Sequence, residues 1–247
     1  MEHELVNVFC MPVKKVLIII PAYNEAATIE SLISEIQSTE FPFLYDCVVV
    51  NDGSSDETVA IAETLGTKVL DLPYNIGIGG AVQTGFLYAL ERGFDYAVQV
   101  DGDGQHPPAK ISDLYNEIHE KNLDLVIGSR FLGSGGFKSS VMRRKGISYF
   151  SYLLKVLSKL DIRDTTSGFR IYSRPAFSFL AVEYPDDYPE PESLLSLSYS
   201  GFTINEIEVP MRERQGGVSS ITNSESIYYM IKVSIAMFLT FIRYKFK

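Results

Sequence analysis

Asp101–Gly102–Asp103 follows the apolar run Ala97–Val98–Gln99–Val100 and leads into Gly104–Gln105–His106–Pro107. Two carboxylates two residues apart, with glycines letting the backbone turn, can aim at one point beyond a strand end. Oxygen donors of this kind suit Mg²⁺ or Mn²⁺, and such an ion can bridge two phosphate oxygens. Gln105 adds a third oxygen, so the expected metal set is Asp101, Asp103 and Gln105. The bland alternative is a solvated acidic turn with glycine supplying positive φ. His106 is expected to support the site rather than ligate, because a hard ion prefers oxygen.

Three further polar clusters carry usable chemistry. In Asn51–Asp52–Gly53–Ser54–Ser55–Asp56, Asp52 can accept a hydrogen bond from the imino N–H of a nucleobase, whereas Ser55 and Asp56 read as caps of the next helix. In Pro21–Ala22–Tyr23–Asn24–Glu25, Tyr23 can flank a base and Glu25 can reach a ribose hydroxyl, although an ordinary loop would hold the same residues. Asn75–Ile76–Gly77–Ile78–Gly79–Gly80 opens a helix, and the glycines around Gly79 let backbone N–H groups approach a ligand. The P-loop lysine and the dinucleotide-binding spacing are both missing from that turn, which argues against a dehydrogenase.

These clusters need a frame that brings them together. Apolar runs at Val16–Ile20, Cys47–Val50, Val69–Leu72, Tyr96–Val100 and Leu125–Ile127 read as strands. Helical patterns separate them at about Ala26–Gln37, Asp56–Leu65, Gly79–Glu91 and Pro108–Lys121. Non-alternating strands interleaved with helices predict a parallel sheet covered on both faces, with ligands beyond the carboxyl ends of its strands. Pro21–Glu25, Asn51–Asp56 and Asp101–Gln105 all fall at such ends. The second half is less regular: a helix over Arg143–Leu160, a short strand at Phe169–Tyr172, a helix over Ser193–Tyr199 and an edge strand at Ile204–Val209 closed by Pro210. Gly133–Gly136 and Gln215–Ser220 are loops whose composition permits motion.

Composition narrows the function classes. The 247 residues suffice for one large α/β domain. A formal net charge of −9 argues against a nucleic-acid partner bound through a basic surface. Cys10 and Cys47 offer neither a disulfide framework nor zinc spacing, and the N-terminus lacks a basic region followed by an apolar run, so a reducing, cytoplasmic setting is expected.

Taken in order, Pro21–Glu25, Asn51–Asp56, Asn75–Gly80, Asp101–Pro107, Gly128–Arg130 and Thr166–Arg170 resemble the family 2 glycosyltransferases, and within them the dolichyl- and polyprenyl-phosphate sugar transferases. The resemblance spans about Val16 to Ser220. It implies an α/β, GT-A (Rossmann-like) fold and inverting transfer from a UDP- or GDP-sugar donor, with Mg²⁺ or Mn²⁺ as cofactor. It implies metal ligation by Asp101, Asp103 and Gln105, and places Pro21, Tyr23, Glu25 and Asp52 around the nucleoside. Asn51 departs from the family pattern, which has a first Asp there. Arg130, the pair Arg143–Arg144 and Ser148 match positions that grip the acceptor phosphate, chemistry that suits guanidinium; a solvated basic turn would account for part of Arg143–Arg144–Lys145. Arg214, in Arg214–Gln215–Gly216–Gly217–Val218–Ser219, matches a loop arginine that reaches the donor diphosphate, and Arg212 either shares that task or is simply exposed. Glu190 and Glu192 fall where related enzymes place an acidic residue near the sugar. A phosphate acceptor needs no strong base, whereas a hydroxyl acceptor would use one of these two.

The tail stands apart, so residues 1–223 are expected to form the catalytic domain and 224–247 an apolar C-terminal helix. From Ile227 to Ile242 it is apolar nearly all round, broken by Lys232, and it ends Arg243–Tyr244–Lys245–Phe246–Lys247. It packs either on the catalytic domain, on a second copy of the chain or on a small membrane protein, or else lies in the plane of a membrane surface. Its apolar stretch falls short of the ~20 residues that span a bilayer. The expected function is sugar transfer to a polyprenyl phosphate for a cell-surface glycan, at the inner face of the cell membrane. The alternatives are transfer to a hydroxyl of a growing lipid-linked polysaccharide, and a non-catalytic nucleotide-sugar-binding or scaffold subunit.

Overall fold

The computed structural model describes residues 13–133, 141–185, 189–212 and 223–246, and their side chains except at 141–143 and 223–227. The strands are β1 (Lys15–Ala22), β2 (Leu44–Asn51), β3 (Lys68–Asp71), β4 (Tyr96–Gln99), β5 (Leu125–Ser129), β6 (Arg170–Ser173) and β7 (Ile204–Glu208). The helices are α1 (Ile29–Ser38), α2 (Thr58–Thr64), α3 (Gly77–Arg92), α4 (Ile111–Glu120), α5 (Val141–Ser158), α6 (Arg174–Leu180), α7 (Pro189–Tyr199) and α8 (Asn223–Lys245). Among the described residues the strands form one sheet in the order β3-β2-β1-β4-β6-β5-β7. Every pairing is parallel except those of β6, which runs antiparallel to both β4 and β5. β7 is the edge strand that its sequence suggests.

β1 shows why its apolar run does not alternate. Val16, Ile18 and Ile20 face one side with residues of α1 and α4, while Leu17 and Ile19 face the other with residues of α3. Both faces are dry, so every position is apolar. The second side is the deeper one and also takes α5, α6, α7 and the tail, whose Val233 and Met237 are buried beside Leu194, Leu195 and Leu197 of α7.

Two elements differ from the sequence expectation. α6 was not anticipated; Ser173 caps it by accepting from the Ala176 N–H, and Pro175 sits in its first turn, where a missing N–H costs nothing. α7 begins at Pro189 rather than Ser193, because Pro189 and Pro191 occupy a first turn whose N–H groups have no intrahelical partner anyway. That extension places Glu190 and Glu192 on the opening turn of a helix. α8 is a single helix whose C-terminal part is tied to the domain by hydrogen bonds. Thr240 donates to Glu192 at 2.7 Å, and Tyr244 and Arg243 both donate to Glu183, at 2.8 and 3.0 Å. None of the described helices is long and apolar enough to cross a membrane.

Candidate functional site

The loops after β1, β2 and β4 meet at one edge of the sheet and are laced to one another. Asn24, in the left-handed region at φ 56, takes the Ser55 N–H on its side-chain oxygen at 2.8 Å and donates its own N–H to Ser54 at 2.9 Å. The Glu25 N–H donates to Thr58 at 2.9 Å, and the Thr28 hydroxyl donates to the Gly102 carbonyl at 2.7 Å. Asp56 accepts from the backbone of both Thr58 and Ala26, the capping role read for it. Burial raises its pKa, but the hydrogen bond from the Thr58 hydroxyl and these two from the backbone outweigh that and leave it below the ordinary range. Tyr23 is exposed at this edge, and Pro21 is buried at the end of β1.

Asp52 is buried and already employed. Its carboxylate accepts from the Ile76 and Gly77 N–H groups at 2.7 and 3.0 Å, so it caps α3 across the β2 edge. A carboxylate has about four acceptor positions, so this role leaves capacity for a ligand. Gly53 is held at φ +72 with Tyr74 and Asn75 pressed against it, and a Cβ there would come within 2.8 Å of their backbone. Gly79 is buried inside the first turn of α3. Asn51 donates its amide to Asp71 at 2.7 Å and accepts the Ser54 N–H at 3.1 Å. This accounts for the departure at position 51. An aspartate there would set two carboxylates against each other.

The acidic turn is oriented by its surroundings. The Asp101 N–H donates to His106 Nδ1 at 3.0 Å, so Nδ1 is unprotonated and the neutral ring carries its proton on Nε2. That nitrogen lies 3.6 Å from Asp101 Oδ2, and the ring stacks on Phe169 with centroids 4.9 Å apart. From the other side, Gln99, fully buried in β4, donates to Asp101 Oδ1 at 3.0 Å. Gly168 closes the remaining flank, since a Cβ there would stand 2.8 Å from Asp101 Oδ2. Asp103 is buried and accepts the Gln105 N–H at 3.1 Å. Gln105 is paired with the Arg212 backbone in both directions, receiving its N–H at 3.0 Å and donating its amide at 3.3 Å. With the amide nitrogen so used, the Gln105 carbonyl oxygen is the end suited to a cation.

No group of three or more carboxylate, imidazole or thiol side chains able to hold a metal occurs among the described residues. Two carboxylates and an amide oxygen still fit a hard divalent ion, which takes the rest of its shell from water and phosphate. Arg212 is not a free cation: its guanidinium is bidentate to Glu35 on α1, at 2.6 and 2.7 Å. Arg214 and the Gln215–Ser220 loop lie outside the described residues, as do residues 134–136, the side chain of Arg143, Cys10 and the first twelve residues.

Arg130 is buried with Asp164. Its Nε and Nη2 donate to the two carboxylate oxygens at 2.7 and 2.6 Å, and Nη2 also reaches Thr166 at 2.9 Å. Burial works against its charge, but Asp164 outweighs that and raises the pKa. Arg144 and Ser148, which the sequence places together, both line an open pocket of about 280 Å³ with Phe131, Ile147, Ser151 and Arg163. Glu190 opens α7. Burial pushes its carboxyl above the ordinary range against the pull of Arg170, with Asp101 and Arg130 near enough to contribute.

Sequence reasoning gave no role to Arg170, which is fully buried and organises this half of the site. It donates to the carbonyls of Thr165, Ser167 and Glu190 and to the Ser193 hydroxyl, at 3.0, 2.7, 3.1 and 3.2 Å. Its signal was present in the Thr166–Arg170 motif, as a cation on an otherwise apolar short strand.

The comparisons with known proteins bear on the family and the fold. The model of the family described as glycosyl transferase family 2 matches residues 17–180. A polyprenol monophosphomannose synthase of Mycolicibacterium smegmatis is 30% identical, over 90% of this chain and 87% of that protein. A UDP-N-acetylglucosamine–dolichyl-phosphate N-acetylglucosaminyltransferase of Methanococcus voltae is 31% identical, over 68% of this chain and 73% of its own length. Glucosyl-3-phosphoglycerate synthase from Mycobacterium tuberculosis, solved with Mn²⁺, uridine diphosphate and phosphoglyceric acid, superposes with a TM-score of 0.69 at 20% identity, over 92% of this chain and 78% of that one; at that identity it speaks for the fold. The family model over residues 17–180 and the relative 30% identical over 90% of the chain show that this chain is a member of glycosyl transferase family 2.

Proposed function

We propose that the protein transfers a sugar from a UDP- or GDP-sugar to a polyprenyl phosphate, with inversion at the anomeric carbon. The observation that carries this reading is the pairing of the acidic turn Asp101–Gly102–Asp103 with the arginine- and serine-lined pocket one residue beyond Arg130. A donor diphosphate and an acceptor phosphate each have a matching surface on the same rim.

Asp101, Asp103 and Gln105 would hold Mg²⁺ or Mn²⁺, which would offset charge on the leaving nucleoside diphosphate. Gln99, His106 and Gly168 keep the Asp101 carboxylate aimed. Pro21, Tyr23, Glu25 and Asp52 line the nucleoside side, with Gly79 in the helix turn that Asp52 caps. Arg144 and Ser148 grip the acceptor phosphate, one of whose oxygens attacks the anomeric carbon as its bond to the diphosphate breaks. Arg130 acts from within its pair with Asp164, and Arg214 serves the donor diphosphate. Exposed apolar residues of α8 and α5 seat the domain on the inner face of a membrane, where such a lipid resides.

Glu190 supports a second reading. A carboxyl held above its usual pKa beside Asp101 is suited to take a proton from a hydroxyl acceptor. Glu190→Gln separates the two readings. Transfer to polyprenyl phosphate should survive the change within a few-fold, whereas transfer to a hydroxyl should fall at least about 100-fold. Activity of the parent on a hydroxyl acceptor alone, lost in Glu190→Gln, would favour the second reading.

A further inference from the structure

The pocket of about 280 Å³ beside α5 contains a cation outside the family-derived set, Arg163. Its backbone is fixed from both sides. The Arg163 N–H donates to Glu206 of β7 at 2.8 Å, and its carbonyl accepts from Ser151 of α5 at 2.9 Å. The side chain is thereby carried to the groove that Phe131, Arg144, Ile147, Ser148 and Ser151 complete.

The neighbouring acids are spent elsewhere. Asp164 has both oxygens on Arg130, at 2.7 and 2.6 Å. Asp161 is paired with Lys155 at 2.8 Å, and Glu206 accepts the backbone N–H groups of Arg163 and Asp164 at 2.8 and 3.3 Å. Neither Arg144 nor Arg163 has an acidic partner among the described residues, although the chain as a whole carries a net charge of −9. Two guanidiniums without an acidic partner line one open groove with the Ser148 hydroxyl, a set of donors that suits a bound anion. Arg130 does not supply the second cation here, because its fork is already closed on a carboxylate.

We infer that Arg163 and Arg144 form a two-guanidinium clamp for a phosphate monoester, with Arg163 the second cation of the acceptor site. This rests on the acceptor reading proposed above. Arg130 and Asp164 serve as the brace: the same aspartate that neutralises Arg130 is the residue next to Arg163, so the pair holds the clamp arm in place. Arg163 is exposed, so replacing it removes a charge without opening the core.

The test measures binding by calorimetry on the full chain, using inorganic phosphate, farnesyl phosphate and uridine diphosphate with Mn²⁺ as separate probes. Arg163→Gln should weaken farnesyl phosphate roughly tenfold or more, the loss expected for one charge-assisted contact, and leave uridine diphosphate unchanged. Arg163→Lys should recover part of the loss, and the variants should unfold at the same temperature as the parent. If Arg144→Gln weakens farnesyl phosphate while Arg163→Gln does not, Arg163 is no part of the clamp and the acceptor reading survives. If binding depends on Arg163 but inorganic phosphate competes as well as farnesyl phosphate binds, the clamp stands and the lipid acceptor is the part that fails.

Discussion

Asn51 shows how a single residue ties local chemistry to the rim. Its amide faces Asp71 at 2.7 Å, and its oxygen receives a backbone N–H. Asn51→Asp should therefore destabilise the protein by about 1 kcal/mol, the cost of replacing a part-buried hydrogen bond with two facing carboxylates. Thermal unfolding should show Asp71→Asn restoring most of that loss in the double variant; an additive double variant would mean the two side chains do not interact. Asp56 gives a pH signature. Its folded pKa lies below the unfolded value, so its contribution is present above about pH 3.9 and is lost as the pH falls through the folded value. Wild type should accordingly lead Asp56→Asn in denaturant midpoint at pH 7 and converge with it in strong acid. The acidic turn, the cap at Asp56 and the support from His106 were readable from residue type and spacing alone, whereas Ser55 is no cap: α2 starts later, at Thr58, and the Ser55 N–H and hydroxyl both donate to Asn24. The partners of Asn51, Asp52 and Arg130 were not. Each is a contact between residues 20 to 34 positions apart, and nothing local in the sequence states it.

At the scale of elements, the first half was legible because β-branched runs and helical periodicity agree there, and each polar cluster sits at a strand end. The second half was less so for a physical reason. α6 is a single short segment whose signal is only a Ser cap and a proline, and α7 opens on two prolines that look like a loop until the first-turn rule is applied. The antiparallel β6 also breaks the alternation on which the parallel reading rests. What holds these elements together is Arg170, whose guanidinium joins the 165–167 turn to the start of α7. Arg170→Leu should cost on the order of 3 kcal/mol, because several buried carbonyls lose a charged donor at once. It should also lower transfer more than binding of the nucleotide, since the side it braces is the proposed acceptor side. Near-normal stability of that variant in a urea titration would show that the turn and α7 are held by apolar packing alone.

At the scale of the whole molecule, the tail has two faces with different jobs. Val233 and Met237 are in the core, while Tyr228, Ile231, Ile235, Phe238, Leu239 and Ile242 are exposed along the opposite side of α8. On α5, Tyr149, Tyr152 and Val156 are exposed too, and Tyr149 reaches Ser234 of α8 at 3.0 Å, so the two helices lie side by side. The sequence indicated an apolar α8 but not the exposed apolar residues on α5, the same helix that carries Arg144 and Ser148. Deleting α8 would strip the core, so substitutions on its outer face are the cleaner test of membrane docking. Ile235→Glu with Phe238→Glu should lower association with anionic liposomes by about tenfold or more while leaving the unfolding temperature unchanged. Unaltered flotation would assign that face to a protein partner or a second copy. The central claim is sugar transfer to a polyprenyl phosphate, and the most direct measurement follows radiolabel from UDP- and GDP-sugars into organic-extractable lipid. The assay uses undecaprenyl phosphate, with Mg²⁺ or Mn²⁺ present or chelated, and compares wild type with Asp103→Ala. The account predicts a single lipid monophosphate sugar whose formation needs the metal and falls by at least about 100-fold in Asp103→Ala. Label that enters only hydroxyl acceptors, or transfer that persists in Asp103→Ala under chelation, would contradict it.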